Sequence, residues 1–231
     1  MLNLALAAAF FLGTHAGIAG TRLRFVIIER IGNRSYVVLY SVLSTVGTVW
    51  LFTAYLTAPY VELWGQVAGS GFVVLFTMFF SFLFLVLGLT ARPATLFREQ
   101  ALDYTLKDVT GVVRITRHPI LVGLLIWSIT HMIVNGDVAA LILFGGLTFL
   151  TALGIGSMEA KHRERLGDEW VELARHTSVV PFAAIARGRN RLVMREIGWR
   201  RLLGAILIFV VMLDLHVRII GVSPLPAALI R

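Results

Sequence analysis

Six histidines and no cysteine bound the chemistry open to this 231-residue chain. Without thiols there is no disulfide, thiolate ligand, iron–sulfur cluster or cysteine nucleophile, so any metal must be held by imidazole, thioether or oxygen. His15, His118, His131 and His216 fall in or at the edge of long apolar runs, whereas His162 and His176 sit in a charged stretch and read as solvated. Polar groups inside a membrane span are costly and mark function. On a helix, His15 shares a face with Phe11, Leu12, Ile18 and Ala19, and Gly13 and Gly17 form a GxxxG pair on roughly the opposite face, suited to close packing. His131 shares its face with Trp127 and Ser128. An aromatic wall beside an imidazole suits a flat porphyrin, and it suits equally a core histidine bonded to a serine or a carbonyl. Asp214 and Arg218 are four apart and share a face as an ion pair, with His216 pointing away from them.

The elements that must position these rings are six apolar runs, at 2–20, 36–58, 67–90, 119–134, 138–156 and 202–222. Most reach the roughly 17 to 25 residues that cross about 30 Å of hydrocarbon. With 58% hydrophobic residues, the chain carries too much apolar surface for a soluble domain. Positive charge alternates between the connecting segments. Arg22, Arg24, Arg30 and Arg34 follow the first run, Arg92, Arg98, Lys107, Arg114 and Arg117 follow the third, and ten more from Lys161 to Arg201 follow the fifth, while the opposite loops carry only Glu62 and Asp137. The basic side is therefore expected to be cytoplasmic and both termini to face away from it, with Tyr55, Tyr60 and Trp64 at the outer boundary. The net charge of +8 lies along loop edges beside spans, which points to anionic lipid rather than nucleic acid. The first run has no basic residue before it and several after it, so it is expected to be a retained span and not a cleaved signal. All six prolines fall at run ends or in loops.

The stretch 157–201 is expected to be an interfacial cytoplasmic segment. In it Met158, Leu166, Trp170 and Leu173 form the apolar side of an amphipathic helix among Lys161, Arg163, Glu164, Arg165, Asp168 and Glu169. Asn135-Gly136-Asp137 reads as a tight turn between the fourth and fifth runs, with Asp137 alternatively orienting His131. The fold class is thus all-α: a single polytopic membrane domain over 1–231, of about six transmembrane helices with a cytoplasmic amphipathic helix.

The segment Thr116-Arg117-His118-Pro119-Ile120-Leu121-Val122-Gly123, followed by Trp127, His131, Asn135-Gly136-Asp137 and Leu143-Phe144-Gly145-Gly146, resembles the signature of the NnrU family. His15 and the segment around Gly167, Trp170, Val180, Pro181 and Phe182 extend the likeness over nearly the whole chain. The resemblance implies a bacterial inner-membrane protein linked with nitrite and nitric oxide metabolism. It also implies kinship with plastid 15-cis-zeta-carotene isomerases, which use haem b with two histidine axial ligands to isomerise a double bond. Carried over, the iron ligands fall on His15 and His131, and His118 becomes a nearby essential group.

Helix geometry constrains this pairing. His118 and His131 lie about 20 Å apart along one helix and point about 140° apart, so they cannot share an iron. His15 falls near the inner boundary and His131 near the outer one, a depth difference of roughly 10 Å or more. Depth alone favours His15 with His118, the resemblance favours His15 with His131, and a first helix that extends beyond Arg22 or shifts in register would reconcile them. His216 is the reserve ligand. Trp127 would wall the porphyrin, and Arg22, Arg114 and Arg117 are candidate partners for haem propionates when they are not simply topology anchors. Two imidazoles leave no open position on iron; loss of one would admit nitric oxide, another small ligand or an apolar polyene.

A different enzyme class is also in view. Arg117, His118, Pro119, Glu159, Arg163, Trp170 and Pro181 are similar to an arrangement in isoprenylcysteine carboxyl methyltransferases, which implies S-adenosylmethionine at the cytoplasmic face. That family's paired glutamates stand here as Met158-Glu159. A non-catalytic membrane factor for denitrification enzymes is the third alternative.

Overall fold

The computed structural model describes residues 1–67, 70–91 and 106–226. In chain order, α1 (Leu2–Leu12) runs into a π-helical stretch at Gly13–Ala19, followed by α2 (Leu23–Ile31), α3 (Asn33–Leu56) and α4 (Gly71–Thr90). Short 3-10 turns at Leu106–Asp108 and Gly111–Arg114 precede α5 (Pro119–Asn135). The one-turn α6 (Val138–Ala140) passes through a second π-helical stretch, Leu141–Gly145, into α7 (Gly146–Leu166). Then come α8 (Asp168–His176), α9 (Ala183–Ala186), α10 (Met194–Ile197) and α11 (Trp199–Ile220). Among the described residues, β pairing is confined to an isolated bridge between Glu62 and Asp137.

Each apolar run is helical. Five helices, Leu2–Ala19, Asn33–Leu56, Gly71–Thr90, Val138–Leu166 and Trp199–Ile220, are long and apolar enough to cross a membrane. The remaining run, Pro119–Asn135, has 17 residues and spans about 25 Å, roughly a turn short of the hydrocarbon thickness. The protein is an all-α membrane helix bundle.

Three local expectations are corrected. The basic segment after the first run contains a helix, α2, which no proline or glycine interrupts and which ends where Gly32 takes a φ of 82°. The fifth run does not stop at 156. It continues to Leu166, because nothing between Ser157 and Leu166 breaks a helix, and ends where Gly167 adopts a φ of 52°. Met158 and Leu166 therefore belong to α7, and the amphipathic helix is α8 alone, burying Trp170 and Leu173. Finally, Gly13 and Gly17 pack against nothing among the described residues. The π stretch beginning at Gly13 turns the helix out of its α register, and α1 meets α3 through Leu4, Ala7, Ala8 and Phe11 instead. Arg92 and Arg98 lie outside the described residues.

The chain divides into two compact units, Met1–Ala68 with His131–Gly154, and Gly69–Thr130 with Ile155–Arg231. In the first unit, Gly47 of α3 admits the Phe10 ring, 3.1 Å from where a Cβ would stand. The turn at 135–137 behaves as expected: Gly136 has a φ of 60°, and the Asp137 carboxylate accepts from the Ala140 amide to cap α6. The amides of Leu63, Trp64 and Gly65 all donate to the Gly136 carbonyl, and Trp64 Nε1 donates to the Ile133 carbonyl at 2.8 Å. In the second unit, α4 and α5 approach through small residues. Ser81 Oγ donates to the Gly123 carbonyl at 2.8 Å, and Gly88 lies against Pro119 and Ile120. Phe84, Leu87, Val113, Val122, Trp170 and Leu173 belong to its core, which joins the end of α4 to α8.

Candidate functional site

His15 is the second residue after the first π-helical stretch begins, where such stretches often accompany function. Its Nδ1 lies 2.8 Å from the Phe11 carbonyl, and a carbonyl only accepts, so Nδ1 carries the proton. In the neutral ring Nε2 is then the lone-pair nitrogen, and Ser44 Oγ donates to it from α3 at 3.2 Å. The ring lies between Phe11, at a centroid distance of 4.1 Å, and the edge of Tyr40, at 5.8 Å. Tyr40 stacks on the buried Tyr36, over which Arg24 lies.

His131 lies in the last turn of α5, its ring 4.9 Å from Phe144 of the second π-helical stretch. Phe144 is buried and meets Tyr55 of α3 edge-on at 5.6 Å. Asn135 Nδ2 donates to the His131 carbonyl, and the Asp137 carboxylate serves the Ala140 amide, which is the capping role and not the orienting one. Trp127, one turn earlier on α5, is partly buried. Ser44 and Tyr55 stand eleven residues apart on α3, a rise of about 16 Å. The two rings thus attach to α3 at different levels, His15 directly and His131 through Phe144.

The fit to a haem divides into donor chemistry and space. A histidine that gives its second ring proton to a carbonyl and keeps a lone pair on the other nitrogen is arranged as an axial ligand is. Between α1, α3 and the second π stretch the described side chains, Phe11, Leu12, Leu51 and Leu143 among them, close against one another and leave no cavity. The imidazole chemistry of His15 suits an axial ligand, and the packing of the described helices leaves no room for a porphyrin beside it. Of the three arginines considered for propionates, Arg22 is exposed at the start of α2 in this unit. Arg114 forks onto Glu196, at 2.6 and 2.9 Å, and also donates to Asn190. Glu196 accepts a further bond from the Gly111 amide. These hydrogen bonds, the one from Arg114 foremost, hold the Glu196 carboxyl below its usual range.

Arg117 and His118 precede α5 in the second unit and converge on one carboxylate. Arg117 Nε and Nη2 donate to the two oxygens of Glu159 at 3.1 and 2.7 Å, and His118 Nε2 donates to Oε1 at 2.7 Å. Arg117 Nη1 reaches Thr177, and the guanidinium lies 5.3 Å from the Trp170 ring. His118 is only 3% exposed. An extended segment locks this corner in place: the Arg117 amide donates to the Ser178 carbonyl, Thr116 Oγ1 to Val179, and the Phe182 amide to Ile115.

The sequence reading misplaced His162. It is buried, 4.8 Å from Trp170 and 6.4 Å from His118 with its ring plane nearly parallel to both. The continuation of α7 past 156 carries it inward, and the fold-back at Gly167 lays Trp170 over it. Its spacing held a signal, since Glu159 and His162 are one helical turn apart and share a face. His176 is exposed, as expected. In α11, Arg218 Nε pairs with Asp214 at 2.8 Å, and His216 Nδ1 donates to the Val222 carbonyl just beyond the helix end. Among the described residues, no three or more histidine, aspartate or glutamate side chains gather as a metal site.

The chain is 32% identical over 190 residues to "15-cis-zeta-carotene isomerase, chloroplastic" of Zea mays, covering 79% of this chain and 50% of that protein. It is 30% identical over 184 residues to the protein of the same name in Arabidopsis thaliana, covering 76% and 48%. It therefore spans about half the length of the curated relatives it matches. No solved structure shows a significant match. The description "NnrU protein" matches residues 3–224, and on that near-complete match the chain belongs to the NnrU family.

Proposed function

We propose that this protein is a membrane isomerase that converts a double bond of a long apolar polyene between cis and trans, holding haem b through His15 and His131. The similarity to two plastid isomerases over more than three quarters of the chain carries the reading. The tautomer at His15 supports the cofactor, because its Nδ1 proton is committed to Phe11 and its Nε2 keeps a lone pair, which accepts from Ser44. Haem, when bound, supplies an iron whose ligation and oxidation state can perturb a conjugated chain. The protein's own residues anchor and orient. Phe11 fixes the His15 ring, Phe144 supports the face of His131, and Arg22 is the cationic partner for a propionate. His118 gives its Nε2 proton to Glu159, so any further role it plays is through Nδ1. Val38, Val42, Val46 and Val49 are exposed along α3, which suits a substrate arriving through the hydrocarbon.

In this reading the basic segments face the cytoplasm of a bacterial-type inner membrane, with both termini opposite. The isomerase reading is preferred to a role in nitrite and nitric oxide metabolism, or as a factor for denitrification enzymes, because the curated relatives are named as isomerases. S-adenosylmethionine remains the cofactor of a second reading, because Arg117, His118, Glu159 and Trp170 do assemble. That reading ranks lower since the guanidinium and the carboxylate already satisfy each other. Saturable S-adenosylmethionine binding that disappears in Arg117→Ala or Glu159→Ala would reverse the ranking.

The deciding experiment incubates haem-loaded protein in detergent with a 15-cis polyene in the dark and follows the isomers by chromatography. Conversion to the trans product is expected, and its absence with a stoichiometric b-type spectrum overturns the isomerase reading.

A further inference from the structure

The large apolar side chains of the amphipathic helix α8, Trp170 and Leu173, are spent inside the protein core, so α8 does not lay them on a membrane. The exposed apolar groups of the same unit stand elsewhere: Val180 is 65% exposed, Phe182 41% and Trp199 70%. All three are tied to the stretch just before α5. The Phe182 amide donates to the Ile115 carbonyl, the Arg117 amide donates to the Ser178 carbonyl, and Arg114 forks onto Glu196, three residues before Trp199. Since α5 begins at Pro119 and α11 at Trp199 itself, these side chains stand at the level where two apolar helices begin.

Phe182 carries an independent signal. Among the described residues it is the one non-glycine residue with a positive φ, 62°, a conformation that bulky side chains rarely adopt. Backbone strain of this kind persists where function keeps it. Glycine would hold the same turn without strain, so what the strain preserves is the ring, and much of that ring faces outward. Arg195, Arg200 and Arg201 are exposed nearby in sequence and pair with no carboxylate among the described residues. The Arg200 guanidinium lies 5.5 Å from the Trp199 ring, so charge and ring share one place.

We propose that Val180, Phe182 and Trp199 enter the headgroup layer of an anionic bilayer, with Arg195, Arg200 and Arg201 on the lipid phosphates. Aromatic rings favour the headgroup level at the end of a span, and guanidinium forks match phosphate oxygens. The contact seats on the membrane the same segment that locks the Arg117–His118 corner. It stands on the helix bundle and on no cofactor.

The test uses the full chain, which has no cysteine, so each introduced one reports alone. Spin labels on Val180→Cys, Trp199→Cys and, as an aqueous reference, Glu169→Cys of α8 are compared in nanodiscs containing phosphatidylglycerol. Labels at 180 and 199 are expected to be open to oxygen and shielded from a soluble nickel chelate; nickel access at both equal to that at 169 overturns the inference. In non-ionic detergent, added phosphatidylglycerol is expected to raise the unfolding midpoint more than phosphatidylcholine does. The concentration giving half of that rise should move up roughly fivefold for each of Arg195→Gln, Arg200→Gln and Arg201→Gln. Equal rises with the two lipids, or the same rise with inorganic phosphate, overturn anionic lipid as the occupant. Phe182→Gly is expected to keep its midpoint without lipid and lose part of the rise, and a large drop without lipid would make the ring a core residue and overturn its place in the headgroup layer.

Discussion

His15 and Glu159 are both polar groups set among membrane helices, and the structure treats them in opposite ways. Glu159 receives three charge-capable bonds from Arg117 and His118, and its surroundings are locked by the segment from Ser178 to Phe182. His15 has one bond to its own helix, one longer bond to Ser44 of α3 and two aromatic neighbours. A saturated network resists change, whereas a lone pair under a single weak donor invites it. The difference assigns the two regions different work. The Arg-His-Pro corner, which looks most like a motif, fastens helix ends together, and the plainer His15 is held by fewer and longer bonds.

Alanine at each site is the sharpest way to break that contrast. His15→Ala and His131→Ala are expected to abolish the low-spin haem spectrum entirely while membrane insertion persists, and Glu159→Ala to retain it. Absorption spectra of the three purified variants decide it. A spectrum lost in Glu159→Ala but kept in both histidine variants would reverse the assignment of the two regions.

Stability should show the reverse ranking. Removing the Glu159 carboxylate leaves Arg117 charged and His118 without its acceptor in a largely covered corner, which costs about 3 kcal/mol. His15→Ala removes fewer and weaker bonds. Thermal unfolding in one detergent should therefore place Glu159→Ala well below His15→Ala, and Arg117→Ala/Glu159→Ala together should recover part of the loss. Equal midpoints for the two single variants would mean the network is no clamp.

Much of this contrast was hidden from the sequence for identifiable reasons. The apolar helices were legible because hydrocarbon thickness and backbone hydrogen bonding leave a long apolar run few alternatives. Gly136 and Asp137 were legible as turn and cap because those residue types have local preferences. The continuation of α7 was not, since Lys161, Arg163 and Arg165 look like a loop to any reading based on hydropathy, yet they are good helix formers. His162 was misread with it, because its burial depends on Trp170 folding back after Gly167. The π stretches at Gly13–Ala19 and Leu141–Gly145 have no simple residue signature, so the exposure of Gly13 and Gly17 could not be foreseen. A register shift near His15 was one of two ways, with a longer first helix, to bring His15 and His131 together, and the structure leaves their rings at different levels of α3.

A milder test concerns how tightly the second unit is built. A Cβ at Gly88 would stand 2.6 Å from Ile120 Cγ1 and 3.0 Å from the Ile120 amide nitrogen, and one at Gly123 2.9 Å from the Ser81 carbonyl oxygen. Alanine at either position should cost about 1–3 kcal/mol, because backbone must move. Gly13→Ala and Gly17→Ala in the first unit meet nothing among the described residues and should cost far less. Unfolding midpoints of the four variants measure the difference, and equal losses would show that the outer face of the first helix is packed after all.

The smallest effect is a pH dependence in the second unit. Arg114 and the Gly111 amide hold the Glu196 carboxyl below its ordinary value in the folded protein. A group whose folded value is depressed adds stability that is fully present above its unfolded value of about 4.3 and is lost as pH falls through the folded value. The advantage of wild type over Glu196→Gln should therefore be constant from pH 7 to about 5 and shrink below about 4. Unfolding midpoints of both proteins across that range, in one detergent and one salt concentration, give the curve directly. A difference that stays flat down to pH 3 would mean the fork between Arg114 and Glu196 holds α10 by shape and not by charge.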